Sequence, residues 1–159
     1  MISLIEFKRW AYFGSFLVVL CISGCHKKNQ TALPQNILQE YISRSFSMHS
    51  TDEKTKLIEL ATGEVKEALE KIEPSEFRKI FLDSKKEFVS LKIRDERPIS
   101  EEKYSITYEL TYLNKKDSAE DRVTNKKHAI FLKDKELWKI AEVQTIKTTI
   151  EHQKDVSFY

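Results

Sequence analysis

Glycine, proline and cysteine are scarce in this chain of 159 residues, which has three, three and two of them. Gly14, Gly24 and Gly63 are too few and too scattered for a glycine-rich phosphate loop, so the commonest nucleotide-binding scaffold is missing. No Gly-x-Ser-x-Gly stretch occurs, which excludes the strained elbow that presents a hydrolase serine. Both cysteines, Cys21 and Cys25, fall near the start, so no later position offers a thiol for a disulfide or a nucleophile. The four histidines, His26, His49, His128 and His152, are nowhere spaced as a local metal pair, and no metal or cofactor is expected. Excess charge of one sign is also absent: 27 basic residues face 25 acidic ones. With a pI of about 8.4, the chain lacks the strongly basic balance that nucleic-acid binding calls for, and no nucleic-acid partner is expected.

Long hydrophobic runs are missing too. The longest, from Trp10 to Ile22, is well short of the roughly 20 residues that cross a bilayer. What is present there is ordered: Lys8 and Arg9, then the apolar run, then small residues, which is the layout of a secretory signal. The run ends at Ile22, Ser23, Gly24 and Cys25, and this "ISGC" resembles a bacterial lipobox. The resemblance implies cleavage before Cys25, diacylglycerol on its thiol and membrane lipid as a partner. It also implies a lipid-anchored place in the bacterial cell envelope. The residue after the cysteine is His26 and not aspartate, which points to the periplasmic side of the outer membrane. Removing residues 1–24 discards Lys8, Arg9 and Glu6, and the mature chain is left within one charge of neutrality. The expected layout is a signal peptide over 1–24, a lipidated tether over 25–33, one domain over 34–150 and a C-terminal tail over 151–159.

Within the domain the hydrophobic period changes once. Pro34 suits a first helical turn, and Leu38, Tyr41, Ile42 and Phe46 share one helical face. Ser50 with Glu53 reads as a capping box. Leu57, Ile58, Ala61, Val65, Ala68, Leu69 and Ile72 continue the helical period, with a hinge expected at "ATG" around Gly63. Pro74 then opens a last short helix carrying Phe77, Ile80 and Phe81. From residue 85 the period is two. "KEFVSLKIR" groups Phe88 with Ser90, and Val89 with Leu91 and Ile93, while Tyr104, Ile106, Tyr108, Leu110 and Tyr112 alternate on one face. "VTNKKHAIFLKD" and "ELWKIAEVQTIKTTI" form a hairpin about "KDKE", and "DERPISEE" and "NKKDSAED" read as loops. The expected fold is α+β, with N-terminal helices packed on a curved four-stranded antiparallel sheet.

This order of elements, ending in "LWKIAEV" after a charged turn, is similar to the cystatin-like, nuclear-transport-factor-2-like superfamily, and in particular to its exported lipoprotein members. The resemblance implies a cone of helices and bent sheet with a pocket at its open end. Enzymes of that fold pair a carboxylate base with a tyrosine, and Glu142 with Tyr108 would be the pair here, in an isomerase or dehydratase. The opposing reading is that the tyrosines line the core, and a bulge turns Glu142 outward and Ala141 and Val143 inward. A ligand pocket for a small apolar or amphipathic molecule is expected among Tyr104, Tyr108, Tyr112, Phe131 and Trp138. Lys115, Lys116, Lys126 and Lys127 are candidates for binding an envelope partner or anionic lipid, and sheets of this kind pair into homodimers. The favoured function is a non-catalytic binding or assembly module of the envelope, with the small enzyme as alternative.

Overall fold

The computed structural model describes residues 32–116 and 119–152. The signal, the "ISGC" stretch, Cys25, most of the tether and the tail beyond His152 therefore lie outside the described residues. The chain runs α1 (Pro34–Phe46), a 3-10 turn (Thr51–Glu53), α2 (Lys54–Glu59), α3 (Gly63–Lys71) and α4 (Pro74–Phe77), which passes into a π-helical turn (Arg78–Leu82). The strands β1 (Lys86–Pro98), β2 (Lys103–Lys116), β3 (Ala119–Asp134) and β4 (Leu137–His152) follow. They pair antiparallel in the order β1-β2-β3-β4, and the class is α+β. Among the described residues no helix is long and apolar enough to cross a membrane.

Local chemistry explains each helix boundary. Pro34 opens α1 where its missing N–H costs nothing, and the three- and four-residue spacing buries Ile37, Leu38 and Ile42 against the sheet. Ser50 caps the next segment: its hydroxyl accepts the Asp52 N–H at 3.2 Å. The Glu53 carboxylate reaches back to the His49 N–H at 2.8 Å, one residue earlier than a standard capping box. That bond and the Lys56 ammonium hold the Glu53 carboxyl down at about 2.

The hinge at "ATG" is a junction with the sheet. Thr62 donates its N–H to the Ile140 carbonyl at 2.8 Å, and the Ile140 N–H donates to the Leu60 carbonyl at 3.0 Å, so Ala61 forms a parallel bridge to the edge strand β4. Gly63 restarts the helix at φ +50°, and a Cβ there would sit 3.4 Å from the Ala141 carbonyl oxygen. Two cores result. Leu57, Ala61, Leu69, Phe77 and Met48 cluster among the helices, while Ile37, Leu38 and Ile42 of α1 pack on Ile106, Phe131 and Ile140 of the sheet. Burying a side chain such as Leu38, Leu57 or Phe77 stabilises the fold by roughly 1.5–3 kcal/mol.

The sheet departs from the sequence reading in two respects. "DERP" belongs to β1, and "NKK" and "AED" extend β2 and β3, so the strands are longer and the turns shorter than the loops read from charge. Charged residues alternate comfortably on solvated strand ends, and their polarity does not mark a loop. The strict alternation assigned to β1 also fails. A bulge at Val89 shifts the register, so Phe88 faces Tyr112 and lies on the same side as Leu91 and Ile93, opposite Leu110 and Tyr108. The β3–β4 hairpin closes with Asp134 paired to Leu137, and the two turn residues, Lys135 and Glu136, take φ of 50° and 68°. Positive φ at both positions is what a type I′ turn demands, and neither residue is suited to it.

Three stability changes follow. Gly63→Ala lowers stability by about 1–2 kcal/mol, because it forces a Cβ into left-handed backbone beside Ala141. Glu136→Gly raises it by about 1 kcal/mol by removing the same kind of strain. Both are read from denaturant midpoints at unchanged slope; loss of stability in the Glu136 variant would contradict the turn assignment. Because the folded Glu53 pKa is depressed, its contribution is present above the ordinary value near 4.5 and is lost as pH falls through about 2. A Glu53→Gln protein is expected to lose less melting temperature than wild type across that window.

Candidate functional site

Between the helices and the sheet lies a partly open cavity of about 450 Å³, a size that suits a small ligand. The register decides what faces it. Opposite Tyr108, Leu110 and Tyr112 of β2 stand Lys127, Asn125 and Val123 of β3, so two polar residues occupy helix-facing positions in line with Ala129 and Phe131. Tyr41, Ile42 and Phe46 of α1 form one wall, and Val65 of α3 and Val143 of β4 close the inner end. The π-helical turn, closed by the Asp83 N–H to the Arg78 carbonyl at 2.8 Å, is wide enough to deliver Ile80, Phe81 and Leu82 together to the cavity.

The polar groups are arranged as donors. The Asn125 side-chain carbonyl accepts from the Thr148 hydroxyl at 2.8 Å, and its NH₂ has no partner among the described residues. Lys86 rests its ammonium 5.6 Å from the centre of the Tyr112 ring. Lys127 is half-buried and makes no ion pair among the described residues. Burial, and then the Lys86 ammonium, push the Lys127 pKa below the ordinary lysine value. Burial raises Tyr41 to about 12 and raises Tyr108 as well, with Tyr41 adding to the shift at Tyr108. Both phenols stay protonated and can donate. No aspartate or glutamate is among the described lining residues.

A second, shallower groove of about 640 Å³ runs along the other side of α1, lined by Gln39, Ile42, Phe88 and Leu91. Phe46 divides the two, with its ring 5.7 Å from Phe88 and 6.0 Å from Tyr112.

Of the residues expected to line a pocket, Tyr108 and Tyr112 do so. Tyr104, Phe131 and Trp138 lie farther along the sheet: Phe131 is fully buried in the core, and Tyr104 and Trp138 meet edge to face at 6.0 Å. Glu142 and Tyr108 are not brought together. A bulge at Ala141 pairs Glu142 with Ile130 and Val143 with Ala129, so Glu142 points to the face opposite the helices while Val143 joins the cavity. Lys115 is paired with Glu87, and Lys126 is exposed beside Lys127, which faces the other way. Sequence reasoning missed Lys127, Asn125 and Lys86 as cavity residues. The signal was available, since period two from Val123 to Phe131 puts Asn125 and Lys127 on the inward face. Among the described residues no group of three or more His, Cys, Asp or Glu side chains is placed to hold a metal. His128 contacts the Thr107 hydroxyl at 3.2 Å and His152 contacts Asp121 at 2.7 Å.

No protein-family model matches the chain, and no curated protein matches it. Among solved structures it is similar to a SEC-C motif containing protein from Rhodopseudomonas palustris, at 10% identity and a TM-score of 0.52 over 72% of this chain and 79% of the other. At that identity the likeness concerns the fold alone. It corrects the resemblance drawn from element order: the structural similarity found is to a SEC-C motif protein, not to a nuclear-transport-factor-2-like lipoprotein. Helices followed by an antiparallel meander, with one aromatic tripeptide in the last strand, do not discriminate between α+β folds.

The two tyrosines give a measurable alkaline signature. Their folded pKa values are raised, so their contribution to stability is whole below about 10 and is lost as pH rises through about 12 for Tyr41 and higher still for Tyr108. Phenolate absorbance should show Tyr41 and Tyr108 ionising only as the fold is lost, and Tyr41→Phe should lessen the alkaline fall in melting temperature. Early ionisation of both would place them in water and contradict the site.

Proposed function

We propose that this protein is a lipid-anchored component of the bacterial cell envelope, held through Cys25, whose domain is a non-catalytic binding module. What carries the binding reading is the cavity between α1, α3 and the sheet, with apolar walls and phenol, amide and ammonium donors. The finer form of the fold, a curved sheet cradling that cavity, is supported by register shifts in β1 and β4, because bulges bend the strands that carry them. The isomerase or dehydratase alternative needs Glu142 and Tyr108 in one pocket, and they sit on opposite faces of the sheet. The anchoring reading is supported by the sequence alone, through Lys8 and Arg9, the apolar run and "ISGC". Two acyl chains or more make such attachment durable, at about 0.8 kcal/mol per buried methylene. The periplasmic side of the outer membrane is the proposed location.

Intact-mass analysis of the detergent-extracted protein tests the anchor. The expected result is loss of residues 1–24 with added acyl mass on Cys25, and Cys25→Ala is expected to appear in the soluble or mislocalised fraction. An unmodified cysteine in the mature protein would overturn it.

A further inference from the structure

The cavity has a polarity, which deepens the binding reading and rests on it. Lys127 and Asn125 stand two residues apart on the inward face of β3, and Lys86 lies across β2 from them, beside Tyr112. These are two cations and an amide NH₂ at one side of the space. No carboxylate among the described lining residues neutralises them, and Lys127 has no ion-pair partner among the described residues. The wall opposite the sheet is hydrocarbon and thioether, from Ile42, Met48, Val65 and Phe81, and Val143 of β4 closes the inner end.

We propose that the cavity binds a single-chain amphiphile with an anionic head, its carboxylate or phosphate on Lys127, Asn125 and Lys86 and its tail against the α1, α3 and π-turn side chains. An ammonium left half-buried without a counter-ion is costly, and an anion that also buries apolar surface removes that cost as it binds. A neutral or cationic amphiphile of the same length gains the tail contacts and leaves the lysines unpaired. Tyr41 and Tyr108, protonated and deeper in the cavity, serve as neutral donors and do not compete with the lysines for the head.

The test is isothermal titration of the full lipidated chain in phosphatidylcholine nanodiscs, with empty nanodiscs as blank and decanoate, octanoate, decanol and decyl phosphate as probes. Decanoate is expected to bind one to one. Octanoate should bind more than tenfold more weakly, at about fourfold per methylene. Decanol should bind about tenfold to a hundredfold more weakly than decanoate for want of a charge-assisted contact. Comparing decanoate with decyl phosphate distinguishes the two sources of anionic head. Lys127→Met should narrow the gap between decanoate and decanol and Lys127→Met with Lys86→Met should close it, Asn125→Leu should weaken decanoate about fivefold, and Lys126→Met, on the outward face, should change neither. Equal binding of decanol and decanoate by wild type, or an equal effect of the Lys126 variant, overturns the head-group assignment and leaves the cavity reading standing. Absence of binding by every probe overturns both.

Discussion

Two backbone hydrogen bonds hold the helical layer where it is: the Thr62 N–H to the Ile140 carbonyl, and the Ile140 N–H to the Leu60 carbonyl. They satisfy part of the exposed edge of β4 and, through Ala61, lock the α2–α3 hinge to that edge strand near the β3–β4 turn. Gly63 is what allows the chain to turn back into α3 so close to Ala141. From this fixed point the coverage of the sheet follows. A strand of 16 residues such as β3 or β4 spans about 50 Å, whereas the 13 residues of α1 span about 20 Å. The helices cannot cover the whole inward face, and the cavity forms toward the end where their cover gives out.

That geometry accounts for the electrostatics in one stroke. Low-dielectric surroundings disfavour any charged form, so the Tyr41 and Tyr108 phenols are held protonated and the Lys127 ammonium is pushed in the opposite sense. Lysine is tolerated at an inward position because its methylene stem packs on apolar neighbours while the ammonium reaches the open side. On the outer face the polar ladder is paired instead: Thr111 with Thr124 at 3.1 Å, and Arg94 with Glu109. The inward Lys127, by contrast, has no carboxylate beside it among the described lining residues.

The helices were legible because each carries its own punctuation. Pro34, Ser50, Gly63 and Pro74 all fall at boundaries, and each acts through chemistry local to its own backbone. The α+β class and the inward row from Tyr104 to Tyr112 were legible from the change of period. Illegible was the bulge at Val89, which changes the face that Phe88 joins and has no residue signature, since it arises from fitting twisted strands to one another; the bulge that turns Glu142 outward was, by contrast, the reading set against the enzyme from the sequence. The cavity was placed too far along the sheet because aromatic content was counted as lining. Phe131 and Trp138 instead fill space, and the informative residues were the polar ones at inward positions, Asn125 and Lys127.

Central to the site is that Lys127 faces the cavity with no counter-ion among the described residues. Side-chain nitrogen NMR of the lysine-labelled chain, with the Lys127 resonance assigned by its absence in Lys127→Met, measures this directly. The account predicts that Lys127 titrates below the ordinary lysine value and moves upward when decanoate is added. Titration at the ordinary value, indifferent to decanoate, would place its ammonium in bulk water and contradict the account.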